Sequence, residues 1–182
     1  MVITSVKPFR HYEAGGTSPP KNLTVIGSTT RSDGTPRLFR VEVPALDCFF
    51  NGTGDLFAAL TVARLREAVF STPELRTAKS WVSPDDVTAT ELPLAKATVK
   101  VLASMHSILE KTMEARAAEL AVQSGEDLQS LDEKEMEKQA HLRRTKAAEV
   151  RLVRNVKYLR DPVVEFRAEE WKKEDLPRGL QS

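Results

Sequence analysis

Few sequence features here point outside an ordinary globular interior. Cys48 is the only cysteine in the 182 residues, so an internal disulfide framework is excluded, which fits a reducing compartment. Aromatic residues are sparse at 6%. The longest apolar stretches, such as Leu56 to Ala63, fall far short of the ~20 residues of a membrane span. Charge of one sign is missing too: 27 basic and 26 acidic residues leave a net +1, which argues against nucleic acid or an anionic membrane as partner. Any anion site must then be local, built from backbone amides and a few side chains. The start, Met1-Val2-Ile3-Thr4-Ser5, has neither the basic opening nor the apolar run of a secretory signal. A cytosolic setting is the expectation.

What is present is 41% hydrophobic residues in patterns of both periods. Val2–Ser5 reads as the end of a buried strand that opens at the first residue. Residues 7–22 read as a loop from their Gly, Pro and Ser content. Leu23–Thr30 and the alternating Leu38–Val43 predict two strands around a turn at Arg31–Pro36, a plausible hairpin. Leu56–Val69 reads as a helix buried near its start. From Leu94 to Val122, Val99, Leu102, Met105, His106, Leu109 and Met113 recur at helical spacing. Gly125 is the expected break, followed by a charged, exposed or partly disordered helix over Glu126–Arg144. Ala147–Leu159 is expected to continue as helix until Asp161-Pro162 stops it, with a short strand at Val163–Arg167. His11, His106 and His141 lack ligand spacing, and His106 is expected to pack against the apolar face. The fold class expected is α/β, with too few strands for a self-sufficient sheet.

The chemistry concentrates in Phe50-Asn51-Gly52-Thr53-Gly54-Asp55-Leu56-Phe57-Ala58-Ala59. Glycines on either side of a threonine allow a sharp turn and a close approach to a ligand. Free N–H groups of the helix that follows form an anion hole suited to phosphate. Asp55 at the helix mouth is a carboxylate able to take a proton from an attacking hydroxyl. Taken alone, the tetrad fits equally well a turn with Asp55 as helix N-cap.

The longer string resembles the signature of the ribokinase-like kinases, and in its Gly-Thr-Gly-Asp-Leu-Phe-Ala-Ala form that of the pyridoxal kinases. Val2–Ser5, Leu23–Ser28, Pro44–Phe50, Thr98–Thr112 and Leu159–Phe166 are similar to further family segments in the same order. The resemblance implies a partial ribokinase-like (Rossmann-like) fold, the C-terminal strands plus helices with the N-terminal half absent. It would occupy residues 1–167, with 70–93 and 126–144 as surface insertions and 168–182 as a flexible tail.

It implies ATP-dependent phosphorylation of the 5′-hydroxyl of pyridoxal, pyridoxine or pyridoxamine, with Asp55 as base. Gly52, Thr53 and Gly54 would form the anion hole. Thr4, Ser5, Leu46, Asp47, Cys48 and Thr53 would line the nucleotide, and Gly54 and Asp55 would lie nearest the substrate. ATP, Mg2+ and a monovalent cation (K+ or Na+, held in part by Thr4) are the implied cofactors, and a homodimer the implied assembly. In this family the groups that grip the pyridine ring and the magnesium-holding acid lie in the N-terminal half. That leaves a nucleotide cradle without catalysis as the alternative, and a helical interaction protein resting on residues 94–160 as a third reading.

Overall fold

A computed structural model describes residues 2–6, 22–78, 80–123, 138, 142 and 149–172. The strands are β1 (Val2–Val6), β2 (Asn22–Thr30), β3 (Pro36–Pro44) and β4 (Ala168–Trp171), and they form one sheet in the order β1-β2-β3-β4. All three strand pairs are antiparallel. The helices are α1 (Thr53–Phe70), the short α2 (Pro73–Arg76), α3 (Pro93–Gln123) and the short α4 (Val156–Arg160), with single 3-10 turns at Ala89–Glu91 and Val153–Asn155.

The expected hairpin is the centre of the sheet. Alternation in β3 puts Arg37, Phe39, Val41 and Val43 on its buried face, and antiparallel pairing carries that face across to β2 through Val25↔Val41 and Gly27↔Phe39. The Phe39 ring lies over Gly27 so closely that a Cβ there would sit 2.1 Å from Cζ. The turn between the strands is fastened by Asp33, whose carboxylate accepts from the Thr35 amide at 2.8 Å. Asp85 takes the Ser32 amide at 3.0 Å and the Ser32 hydroxyl as well.

α3 opens with proline at its first turn, where no amide partner is lost. It buries Leu94, Ala95 and Leu102 against Val25, Phe39, Val41 and Val43. On another side Val101 meets Leu56 and Leu60 of α1, and Phe57 packs against both clusters. Small residues on α3, Ala97, Ala103 and Ser104, are buried along its length, which allows helices to approach closely. The hydroxyls of Thr98 and Thr112 are buried and return to the carbonyls one turn back, each at 2.8 Å. Among the described residues no helix is long and apolar enough to cross a membrane.

Three expectations are corrected. Ala147–Leu159 is not one helix: Glu149 makes an isolated bridge to Asn51, and among the described residues of this stretch helix is found only in the 3-10 turn and α4. Val163–Arg167 is not a strand; Val163 and Val164 are exposed, and the sheet is closed instead by Ala168–Trp171. That strand falls where a flexible tail was expected, with Trp171 opposite Leu38 and Ala168 opposite Val41. An edge strand needs only one half-buried face, which Ala-Glu-Glu-Trp supplies without an apolar run.

The stretch expected as a surface insertion at 70–93 is tied inward. Arg37, 2% exposed, points its guanidinium at the carbonyls of Pro84 (2.7 Å), Val87 (3.2 Å) and Ser83 (3.3 Å). These acceptors, with Asp85 near enough to feel its charge, make that buried cation tolerable. Leu75, Ala89 and Leu92 of the same stretch are buried. The 7–21 loop, the break at Gly125, almost all of the 126–144 stretch, His11, His141 and residues 173–182 lie outside the described residues.

Candidate nucleotide and phosphate site

The glycine-rich string lies at the start of α1. Gly52 precedes the helix with φ 81°, a left-handed conformation that costs other residues roughly 1–2 kcal/mol. The first helical hydrogen bond runs from the Leu56 amide to the Gly52 carbonyl at 3.1 Å. The amides of Thr53, Gly54 and Asp55 therefore precede the helical ladder, and among the described residues no side chain caps them. Asp55 is not the N-cap; it is in the first helical turn and exposed. A Cβ on Gly54 would meet nothing within 4 Å, so packing alone gives no reason for glycine there.

This turn borders a cavity of about 560 Å³. Leu23, Val25 and Val43 from the hairpin form one wall, and Leu102, Met105, His106 and Leu109 from α3 form another. Leu46, Cys48 and Phe50 come from the segment that enters the turn, while Thr53, Gly54 and Phe57 close the α1 side. The polar side chains among the lining residues are those of Cys48, Thr53 and His106. A mostly apolar hollow with a few polar groups, opening on unpaired helix amides, suits a flat ring carrying an anionic arm.

Of the residues singled out in the sequence, Leu46, Cys48, Thr53 and Gly54 are brought together at this cavity. Asp47 is exposed and not among its lining residues. Thr4 and Ser5 lie on the edge strand β1, paired with Ile26 and Val25, so Ser5 stands level with a residue of the cavity wall. Cys48 is held from both sides: the Arg116 guanidinium lies 3.0 Å from its sulfur, and its thiol reaches the Phe49 carbonyl at 3.6 Å. The hairpin wall carried no sequence signal of its own, since Leu23, Val25 and Val43 read simply as strand interior. The α3 wall was visible as a helical stripe, but its role depends on tertiary packing. His106 packs as expected, edge-on to Phe166 at 5.5 Å and 82°, and it also faces the cavity.

Among the described residues no group of three or more His, Cys, Asp or Glu could hold a metal ion.

No protein-family model matches the chain. Over 81 residues it is 41% identical to a Schizosaccharomyces pombe protein provisionally named a pyridoxal kinase, a match covering 43% of this chain and 22% of that protein. Its fold is similar to that of the pyridoxal kinase from Leishmania donovani in complex with ADP and pyridoxamine, with TM-score 0.50 and 18% identity over 85% of this chain and 37% of that one. The same kinase in complex with ADP and ginkgotoxin gives TM-score 0.50 and 18% identity over 84% and 36%. At that identity the structural likeness speaks for the fold alone. The chain thus spans a little over a third of the kinase structures it matches and about a fifth of the curated relative. It resembles part of a pyridoxal kinase, and its α/β fold is shared with solved members of that family over most of its length.

Proposed function

We propose that this chain carries the nucleotide-binding and phosphoryl-transfer part of a pyridoxal kinase, phosphorylating the 5′-hydroxyl of pyridoxal, pyridoxine or pyridoxamine from ATP. The observation that carries this reading is the uncapped start of α1 at the mouth of the apolar cavity. The cavity takes the base of the nucleotide, with Leu46, Cys48 and Thr53 along it, and the phosphates run toward the Gly52-Thr53-Gly54 turn. Backbone amides there need no reorganisation to meet the charge that develops on the transferring group. Asp55, exposed one residue beyond Gly54, accepts the proton of the vitamer hydroxyl as its oxygen bonds to the γ-phosphorus and the bond to ADP breaks. Magnesium, carried on the phosphates of ATP, supplies charge neutralisation in such reactions. Thr4 is the position the family resemblance assigns to a monovalent cation.

The test is pyridoxal phosphate formation by the purified chain from pyridoxal and magnesium-ATP, beside Asp55→Asn. We expect product from the first and a loss of about 100-fold or more in the second. A second reading is nucleotide binding without transfer, for which the cavity and the Gly52-Thr53-Gly54 turn would suffice. Absence of product from a folded chain that still binds ADP would decide for it.

A further inference from the structure

α1 is apolar on two sides. Leu56, Leu60 and Val69 are buried toward the rest of the molecule, while Ala58, Ala59, Val62, Ala63 and Phe70 share an exposed face. Val62 is 71% exposed and Phe70 46%. Trp81, 51% exposed, lengthens that face by standing edge-on to Phe70 at 6.4 Å. A surface helix ordinarily carries polar residues on its outer side. Here the same face holds two charges, Asp55 near its start and Arg66 near its end, both exposed. They stand about three turns apart along the helix. Arg66 rests over the Phe70 ring at 5.2 Å, and among the described residues neither charge has an ion-pair partner.

We propose that a second copy of this chain covers this face, the two α1 helices packing antiparallel about a two-fold axis that passes between Ala59 and Val62. Antiparallel packing sets Asp55 of each copy opposite Arg66 of the other, so charges unpaired in one chain are paired at both ends of the contact. A parallel arrangement would oppose like charges instead. The alanines beside Val62 let the backbones approach, with Val62 of one copy lying over Ala58 and Ala59 of the other. Opposed helix dipoles add to the attraction. The contact closes over the Asp55 carboxylate. Where Asp55 acts as base, as the proposed function has it, the paired form is therefore a resting form; the association itself does not depend on that reading.

Sedimentation equilibrium of the purified chain over a range of concentrations tests this directly. We expect a reversible monomer–dimer equilibrium with a dissociation constant on the order of 10–100 μM, as suits a single helix pair at the small end of interface sizes, and weaker association as salt is added. Val62→Glu, which brings like charges together at the axis, should weaken it about tenfold or more. Asp55→Arg and Arg66→Glu should each associate about tenfold more weakly alone. Their equimolar mixture should associate as the unaltered protein does, because each chain then meets opposite charge at both ends of the contact. Thermal unfolding at low concentration establishes that each variant is folded, and Val62→Lys replaces Val62→Glu if that one is not. An unaltered protein that stays monomeric throughout, or that assembles past the dimer, overturns the proposal without any variant. So does a dimer indifferent to Val62→Glu, or a mixture that associates no better than its two components. None of these outcomes depends on whether the chain turns over, so failure here leaves the proposed function to its own test.

Discussion

The two ends of α1 are built to opposite plans. At its start Gly52 turns with positive φ, no side chain among the described residues caps the amides, and Asp55 is exposed. At its end nearly every acceptor is taken. The Ser71 amide returns to the Glu67 carbonyl at 3.0 Å, and the hydroxyls of Ser71 and Thr72 reach the Ala68 carbonyl at 2.9 and 3.1 Å. Just before it, Glu67 receives Arg64 and Lys100, each at 2.6 Å, joining α1 to α3. Arg64 also donates to the carbonyls of Leu159 and Arg160 at the end of α4. One end is fastened within the chain, and the other leaves its first amides without a side-chain cap among the described residues. The two ends should therefore respond to mutation in different observables.

The largest expected effect is at the open end. Asp55→Asn should reduce turnover by about 100-fold or more while the unfolding midpoint hardly moves, because the carboxylate is exposed. Gly54→Ala sharpens the contrast further. A Cβ there meets nothing and alanine favours helix, so stability should hold or rise by up to about 1 kcal/mol. Nucleotide affinity should nonetheless fall, since the added methyl occupies the approach to the amides; unchanged ADP affinity by calorimetry would count against a phosphate site. Gly52→Ala should destabilise by about 1–2 kcal/mol through its positive φ, read in a denaturant midpoint, and weaken nucleotide binding as well.

The smallest effect belongs to the fastened end. Glu67→Gln should cost at most about 1 kcal/mol, because the pair is half-exposed and screened by salt, and should leave ADP affinity alone. It also carries a pH signature. Lys100 and then Arg64, donating to the Glu67 carboxylate, hold it below the ordinary value of 4.5. A depressed carboxylate contributes stability that is fully present above 4.5 and is lost as the pH falls through the lower value of the folded state. Unfolding midpoints of the unaltered protein and Glu67→Gln should therefore converge as the pH drops below about 4.5, and converge more closely in high salt.

The open end was legible in the sequence because its chemistry is local: glycines, a threonine and a carboxylate in one short string dictate both the turn and the free amides. Period likewise revealed β3, whose Phe39, Val41 and Val43 alternate, and α3, whose stripe through Leu102, Met105 and Leu109 spans two turns. The cavity was not legible, since Leu23, Val25 and Leu109 become neighbours only when hairpin and helix pack. Val163-Val164 misled because apolar β-branched residues suggest a strand, yet these two are exposed. The real edge strand hides its signal in Trp171 and in ion pairing of Arg40 with Glu169 at 3.1 Å. Nor does anything near Arg37 in sequence announce burial; its carbonyl partners lie 46 to 50 residues away.

The Phe39 ring over Gly27 acts as an index notch for the whole site. Sliding β2 by one residue against β3 would place Ile26 or Ser28 beneath that ring, where a side chain has no room, and would turn Leu23 and Val25 away from the cavity they line. One missing methyl thus sets the alignment by which the hairpin wall faces the cavity.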